Sequence, residues 1–195
     1  KSKNKINFKF FKDYKGLKII NVGRLTYQKD IITLLRSFLE LIKVRKARLL
    51  LIGNGTEEEN IKLFIKKNRL LKHVKILGFQ DNPYKYISLA DVKVLSSRFE
   101  GNPNILLEIA CLKKLIISSN CKVGPSEILQ KGKGGILFNV GDSVSLFKIL
   151  KKLNLKDSAL KEKINISYRY VKNNFEKDIS KKFIEIIKDI KWKLQ

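Results

Sequence analysis

The chain has very few of the residues that build metal sites and disulfides. Its 195 residues include no methionine, one histidine and two cysteines. Cys111, Cys121 and His73 do not stand at metal-ligand spacing, which argues against a structural zinc site. We therefore expect two reduced thiols, as in a cytosolic protein.

Long hydrophobic runs are also absent. No apolar stretch approaches the ~18 residues that span a bilayer, and no signal peptide precedes the first predicted strand. The chain starts at Lys1, and an initiator methionine is not usually removed before lysine. We therefore expect a segment of a longer protein, with half of an active site supplied by the rest.

Three common motifs of other catalytic and nucleotide sites are missing. A dinucleotide fingerprint would need a third glycine after Gly53 and Gly55, but Glu58 stands there, which disfavours NAD binding. The sequence contains no Walker phosphate loop. It also has no serine in a Gly-x-Ser-x-Gly elbow, which argues against a nucleophilic triad.

The chain is strongly basic, with a formal net charge of +24. Dispersed lysines together with abundant Asn and Ile are expected of a chain encoded by an AT-rich genome. A basic face that holds the protein on an anionic membrane surface is a second explanation. Nucleic-acid binding is a third, but compact arrays of arginine interleaved with aromatics are not evident, so we expect no nucleic-acid partner.

Short apolar runs alternate with helical patterns along most of the chain. The predicted strands are 17–22, 48–52, 74–77, 92–95, 115–118 and 135–138. The predicted helices between them are 29–44, 57–71, 82–90, 103–113 and 126–130. This rhythm predicts right-handed βαβ units and an α/β fold with a doubly wound, mainly parallel six-stranded sheet.

The two ends of the chain lie outside this alternation. Residues 1–16 are polar and basic with four aromatics, which is typical of a linker, and 17–153 form the sheet domain. Residues 154–195 are predicted as C-terminal helices that pack on this domain or on a missing N-terminal one. Helix breaks are expected near Asn154 and near Asn173 and Asn174, and the helix from Ile179 is strongly amphipathic.

Glycine-rich turns follow the predicted strands at their carboxyl ends. These glycines are Gly23, Gly53, Gly55, Gly78, Gly101 and Gly124. In an open doubly wound sheet, ligands bind outside the carboxyl ends of the strands. The coincidence predicts a nucleotide crevice at this edge.

The stretch from Ser96 to Glu108 is the most informative segment. It joins a strand to a helix through a loop that contains Gly, Pro and two Asn, and such a loop can aim N–H groups at an anion. Glu100 lies on the loop and Glu108 about one turn into the helix, so both carboxylates can face one crevice. Carboxylates beside an anion site suit a ligand with hydroxyls and phosphate, such as a sugar nucleotide.

A second cationic turn follows the first strand, from Val22 to Asp30. Arg24 and Lys29 flank the start of a helix there, and together they suit a diphosphate. The alternative is two solvated cations in a lysine-rich chain. A further turn at Gly124 and Pro125 is expected opposite the Glu100 loop.

Several of these motifs recur in order in one known family. They are Gly23 to Lys29, Leu51 to Gly55, Ile76 to Phe79, Ala90 to Val92, Ser96 to Glu108, Gly124 to Leu129 and Gly134 to Phe138. From about Lys18 to Leu153 the chain resembles the donor-binding, C-terminal half of family-4 retaining glycosyltransferases, which have the GT-B fold. The resemblance implies that residues 17–153 are a Rossmann-like domain that binds a nucleotide sugar.

The resemblance also implies residue roles. Arg24 and Lys29 would hold the donor diphosphate and stabilise the departing group, and Glu100 would orient the sugar, so these three are the predicted catalytic residues. Glu108 would accept hydrogen bonds from the ribose, and Phe79 would bracket the base. The other predicted donor-binding residues are Gly23, Gly53, Gly101, Asn102, Pro103, Asn104 and Ile105. No metal or cofactor is expected, because cations and helix N-termini replace the metal.

The implied function is glycosyl transfer from a UDP-sugar to a glycan or lipid-linked acceptor in bacterial cell-surface polysaccharide or lipopolysaccharide assembly. The implied location is the cytoplasm, peripherally on the inner face of the cytoplasmic membrane. The alternative is a non-catalytic sugar-nucleotide-binding or partner-binding fragment.

The chain departs from the family in two ways. Asp30 replaces the usual glycine after Lys29, which places a negative charge near the proposed diphosphate. The N-terminal acceptor-binding half, with its usual catalytic histidine, is missing and is expected as a partner in cis or in trans.

Overall fold

The computed structural model describes residues 8–175 of the chain, and within them lies one six-stranded sheet. Its strands are β1 Leu17–Val22, β2 Ala47–Ile52, β3 Val74–Ile76, β4 Val92–Leu95, β5 Leu115–Ser119 and β6 Ile136–Phe138. The spatial order is β3-β2-β1-β4-β5-β6, and every neighbouring pair is parallel. The predicted doubly wound α/β fold is confirmed, with a sheet that is wholly parallel.

Seven α-helices lie within the described residues. They are α1 Ile31–Val44, α2 Glu58–Lys67, α3 Tyr84–Leu89, α4 Asn104–Cys111, α5 Pro125–Ile128, α6 Ser143–Lys152 and α7 Ser158–Phe175, with short 3₁₀ turns at Tyr27–Lys29 and Gln130–Gly132. Helix α2 ends four residues before the predicted end at 71. The cause is local: the Asn68 side chain donates to the carbonyl of Phe64, and Arg69 adopts a left-handed φ of 56°.

Hydrophobic side chains cover both faces of the sheet. On one face Ile19, Leu49 and Ile117 pack in a core that includes α1, α2 and α6. On the other face Ile20 and Ile116 pack in a core that includes α3, α4 and α7. Since successive strand residues point to opposite faces, this double burial explains why the strands read as continuous apolar runs.

The N-terminal segment packs against the second core. Phe11 is buried there, and Phe8 and Phe10 are partly buried beside it. The guanidinium of Arg48 in β2 lies 4.3 Å from the ring centroid of Tyr14 and 5.2 Å from that of Phe10. The linker predicted for 1–16 therefore does not describe residues 8–16, which are part of the folded domain.

Helix α7 follows the break predicted near Asn154 and packs on α4 and β5. It passes through Asn173 and Asn174 to Phe175, so the second predicted break does not lie at these residues. The Asn174 amide donates to the carbonyl of Tyr170 one turn earlier, and Val171 is buried in the second core, which holds this part of the helix in place. The predicted amphipathic helix from Ile179 lies outside the described residues.

The sheet opens between β1 and β4, where its winding changes direction. Strand β1 pairs with β2 along all six residues, but its ladder with β4 contains only Ile19 with Val92 and Ile20 with Lys93. Beyond these pairs the two strands diverge toward their carboxyl ends. Such a switch point is where ligands of open α/β sheets bind.

Candidate functional site

Two predicted catalytic side chains, 71 residues apart in the chain, are in direct contact. The Lys29 ammonium lies 2.6 Å from Oε1 of Glu100, and the two side chains are 15% and 5% exposed. The Ser97 hydroxyl donates to the same carboxylate oxygen at 2.5 Å. Both contacts use Oε1, so neither of these two partners occupies Oε2 of Glu100.

Buried hydroxyls support the loop that carries Glu100. The carbonyl of Ser97 accepts from Ser119 Oγ at 2.6 Å and from Cys121 Sγ at 3.2 Å. The Ser96 hydroxyl donates to the carbonyl of Lys29 at 3.0 Å. Sequence reasoning did not single out these side chains. The signal was present, because two neighbouring parallel strands each end in a pair of serines.

Arg24 is connected to the same loop through Gln28. The exposed Arg24 guanidinium lies 3.4 Å from Oε1 of Gln28, and Nε2 of Gln28 donates to the carbonyl of Phe99 at 3.0 Å. The backbone N–H of Arg98 donates to the carbonyl of Gln28. Two of these contacts link the turn after β1 to the turn after β4, and Arg24 and Lys29 both lie in the first of these turns.

Asp30 has structural partners that reduce the effect of its charge. It adopts a left-handed conformation with φ 44° and caps α1, where its carboxylate accepts from the N–H and hydroxyl of Thr33. Its Oδ2 also lies 3.3 Å from the guanidinium of Arg98, which stacks on Tyr27. A left-handed residue explains why the family usually has glycine here. The charge near the diphosphate that the sequence predicted is thus partly neutralised.

Glu108 lies on α4 at the same edge of the sheet and is partly buried. Burial raises the pKa of its carboxyl above the ordinary value of 4.5, while a hydrogen bond from Tyr84 of α3 and the charge of Lys93 act to lower it. Tyr84 responds in turn, since burial and Glu108 raise its pKa. A partly desolvated carboxylate with one fixed phenol partner is suited to accept hydrogen bonds from vicinal hydroxyls.

Lys93 is a charged residue of the site that sequence reasoning missed. It is fully buried in β4, and its ammonium donates to the carbonyl of Val22 at 3.1 Å. Burial and Lys29 lower its pKa well below 10.5, whereas Glu100 and Glu108 raise it. The only signal in the sequence is one cation within an otherwise apolar strand.

Glycines allow the loops at this edge to approach each other closely. A Cβ atom on Gly53 would lie 2.0 Å from the carbonyl oxygen of Gly23, and one on Gly124 would lie 2.3 Å from that of Gly101. Gly124 has a φ of 86°. The predicted placement of the Gly124 turn against the Glu100 loop is confirmed.

The remaining predicted donor-binding residues line the start of α4 and the turn after β3. Gly101, Asn102 and Asn104 are exposed, Ile105 is half-buried and Pro103 is buried. Pro103 occupies the N-cap position without a side-chain cap. The N–H groups of Asn104 and Leu106 donate to the carbonyls of Asn102 and Pro103, so among the first three helical residues the N–H of Ile105 is the group left for a ligand. Phe79 is 68% exposed next to Gly78, so its ring is accessible for stacking.

The described part of the chain has neither a metal-ligand cluster nor a membrane-spanning helix. Within 8–175, no three His, Cys, Asp or Glu side chains are grouped so that they could hold a metal ion. A metal-independent site stays a prediction. In the same range, no helix has the length and hydropathy needed to cross a bilayer. Both cysteines are free thiols, and Cys121 is buried.

The chain is similar to known proteins along most of its length. The family model described as Glycosyl transferases group 1 matches residues 2–169. An uncharacterized glycosyltransferase of Methanocaldococcus jannaschii is 40% identical over 120 residues, which are 61% of this chain and 29% of that protein.

A relative from Campylobacter jejuni is 31% identical over 144 residues, which are 74% of this chain and 39% of that protein. Its name is N-acetylgalactosamine-N,N'-diacetylbacillosaminyl-diphospho-undecaprenol 4-alpha-N-acetylgalactosaminyltransferase. This chain thus spans well under half the length of the two curated relatives.

A solved structure has the same fold. The crystal structure of Anabaena Alr3699/HepE in complex with UDP-glucose superposes with a TM-score of 0.77 at 17% identity, covering 90% of this chain and 49% of that one. At this identity the likeness concerns the fold.

Proposed function

Because the chain belongs to the group 1 glycosyltransferase family, we propose that it is the donor-binding half of a family-4 retaining enzyme. In this proposal it binds a nucleoside diphosphate sugar, and the glycosyl group passes to a glycan or a lipid-linked acceptor. The motif of family-4 enzymes that we assign in this chain is the pair Glu100 and Glu108, with seven residues between them.

The observation that carries the proposal is the contact between Lys29 and Glu100 at the open end of the sheet. A cation and a carboxylate from distant loops meet there beside the start of α4. Glu108 lies one turn farther along the same helix. Positive charge for a diphosphate and acceptor oxygens for hydroxyls therefore occur at one crevice, as a sugar nucleotide requires.

Each side chain has a role that follows from its surroundings. Arg24, Lys29 and the N-terminal end of α4 would bind the diphosphate and stabilise the negative charge that develops as it leaves. Glu100, held through Oε1, would present Oε2 to sugar hydroxyls. Glu108 would accept from the ribose, and Phe79 would stack on the base. Retention follows if the acceptor attacks the face from which the diphosphate departs.

A UDP-sugar is the donor that the comparisons favour. HepE is solved with UDP-glucose, and the name of the C. jejuni relative specifies N-acetylgalactosaminyl transfer to a diphospho-undecaprenol-linked acceptor. By analogy we propose a lipid-linked or cell-surface glycan acceptor for this protein. We also propose that transfer takes place at the inner surface of the cytoplasmic membrane. The basic net charge of +24 supports attraction to an anionic surface.

The acceptor site is proposed to lie outside this chain, on an N-terminal domain in cis or in trans. This chain covers only 39% of its C. jejuni relative. The same observation supports the second candidate function, a sugar-nucleotide-binding fragment without catalysis of its own.

The first experiment tests the donor site by titrating the protein with UDP in a calorimeter. Glu108→Ala and Arg24→Ala are each expected to lower UDP affinity about 10- to 100-fold, because each removes charge-assisted hydrogen bonds. Arg36→Ala is the matched control, since Arg36 is an exposed arginine of α1 to which the proposal gives no role. Equal affinity in all four proteins would refute the proposed site.

The second experiment separates the two candidate functions. Radiolabelled UDP-sugar is incubated with the chain alone and with the candidate N-terminal partner, and both hydrolysis and transfer are measured. The glycosyltransferase proposal expects transfer only when both halves are present, lost again in Glu100→Gln. Tight UDP binding without transfer in either mixture would favour the binding fragment.

A further inference from the structure

Lys93 is a buried titratable side chain that the proposed mechanism does not yet use. It lies in the centre of a parallel sheet with no exposed surface, on the face that also carries Ile20 and Ile116. Lysine is almost never fully buried unless it is paired, because desolvating an ammonium group is costly. Because burying Lys93 costs so much desolvation free energy, we expect this lysine to have a functional role.

Its position is the point where β1 and β4 separate. Past the pair of Ile20 with Lys93 the backbone ladder stops, and two side chains bridge the gap instead. Asn21 donates from Nδ2 to the carbonyl of Val94 at 2.9 Å, and the Lys93 ammonium donates to the carbonyl of Val22 at 3.1 Å. Nζ of Lys93 therefore lies at the residue before Gly23, beneath the turn proposed to hold the diphosphate.

Charged groups face Lys93 from three elements. Lys29 comes from the turn after β1, Glu100 from the loop after β4 and Glu108 from α4, whose carboxylate in turn accepts from Tyr84 of α3. Burial and Lys29 lower the pKa of Lys93, and the two glutamates raise it. Its protonation thus depends on the charge of the site above. A bound diphosphate adds negative charge next to Lys29, which favours the ammonium form.

Lys114 is a natural comparison within the same sheet. It is also largely buried, and its ammonium donates to the carbonyls of Ser88 and Ala90 at 2.6 and 3.0 Å. Burial lowers its pKa as well. However, it lies at the amino-terminal edge of the sheet, near Asp91, away from the glycine turns. Lys114 therefore shares the bridging role of Lys93 without its position beneath the site.

We propose that Lys93 is a positioning residue of the donor site, which takes up a proton when a nucleoside diphosphate binds and adds a third positive charge beneath the phosphates. It acts through its hydrogen bond to the carbonyl of Val22 and through its electrostatic interaction with Glu108, since its own side chain is closed off from the ligand. The proton passes from buffer to Nζ, and no covalent bond changes. This inference rests on the proposed donor-binding function.

The test is calorimetric titration of the full 195-residue chain with UDP in two buffers of different ionisation enthalpy. At about pH 8.5 free UDP is fully ionised, because the second phosphate pKa is near 6. The wild type is expected to take up a fraction of a proton per UDP. Lys93→Met should abolish this uptake and lower affinity about 5- to 30-fold, whereas Lys114→Met should match the wild type in both.

The titrations distinguish failure of the proposed Lys93 role from failure of the proposed donor site. UDP binding by the wild type without proton uptake, or uptake that persists in Lys93→Met, overturns the role of Lys93 and leaves the donor site intact. No UDP binding by the wild type overturns the donor site itself. If Lys93→Met does not fold, Lys93→Gln replaces it. UDP binding by the wild type without proton uptake overturns the proposal whether or not either variant folds.

Discussion

Glu108 occupies an environment that opposes its charge. Its pKa is raised above 4.5, with burial as the largest cause. Between the unfolded and folded pKa values the folded state binds more protons, so this group lowers stability as pH rises through that window. A carboxylate retained at such a position is typical of a functional site rather than a stabilising one.

We therefore predict that Glu108→Gln stabilises the fold while weakening UDP binding. The free energy of unfolding at neutral pH should exceed that of the wild type, and the difference should vanish as pH falls below 4.5, where the wild-type carboxyl is protonated in both states. Urea titrations at several pH values measure this. A Gln variant less stable than the wild type at neutral pH would contradict the assignment.

The contact of Lys29 with Glu100 leads to a second prediction at this scale. Removing one partner leaves the other charge buried, so Lys29→Met should cost about 2 to 3 kcal/mol of stability. The double variant with Glu100→Gln should recover part of that loss, because the uncompensated carboxylate is gone. A double-mutant cycle by urea unfolding measures the coupling. Additive effects of the two changes would show that the pair is not coupled.

At the level of elements, the site depends on the close approach of two loops. The loop before α5 meets the loop before α4, where Gly124 has a φ of 86° and faces the carbonyl of Gly101. Only glycine fits both conditions, since any Cβ would be strained and would also meet backbone at 2.3 Å. The position of the Glu100 loop is thus set from a neighbouring strand.

We predict that Gly124→Ala lowers stability by about 3 kcal/mol or more and also weakens UDP binding, because the Glu100 loop must move. Gly141→Ala is the matched control. Gly141 also has a positive φ, 75°, but a Cβ there meets nothing within 4 Å, so only strain of about 1 kcal/mol applies. Equal losses of stability and equal UDP affinity in both variants would refute the steric argument.

For the whole molecule, two cores on opposite faces of one sheet hold the chain together. The second core includes residues from the N-terminal segment, α4 and α7. Segments that flank the alternating strands and helices are therefore part of the stable unit. The family match over residues 2–169 agrees with this extent.

We accordingly predict that Phe11→Ala destabilises the whole domain by about 3 kcal/mol, as expected for a buried aromatic. Phe79→Ala should change stability by less than about 0.5 kcal/mol, because the Phe79 ring is largely exposed. Thermal unfolding of both variants measures this. If Phe11→Ala had the same unfolding temperature as the wild type, the result would favour the linker predicted for residues 1–16.

Local pattern predicted the fold well where a buried strand is a short apolar run. The strands Leu17–Val22 and Val92–Leu95 have the predicted bounds, because burial on both faces leaves little choice of residue. It failed where tertiary contacts override local preference. The helix through Asn173 is held by packing against the second core, and Phe8, Phe10 and Phe11 pack there although lysines surround them in the sequence.

The site was predictable in its outline for a related reason. Parallel strands bring their carboxyl ends to one edge, so the glycine turns, Glu100 and Lys29 could be placed together from order alone. Lys93 and the buried serines could not. Their importance comes from what surrounds them, and a single lysine in an apolar strand has no periodic signature.

The sequence by itself determined the alternation of strands and helices and the edge of the sheet where the glycine turns meet, because these follow from hydrophobic period and chain order. The resemblance of its ordered motifs indicated the family. Only the tertiary structure decided which charges touch. Lys29 meets Glu100, Arg98 pairs with Asp30, and Lys93 lies in the gap between β1 and β4. Electrostatic energy depends on distance and burial, and neither is a property of position along the chain.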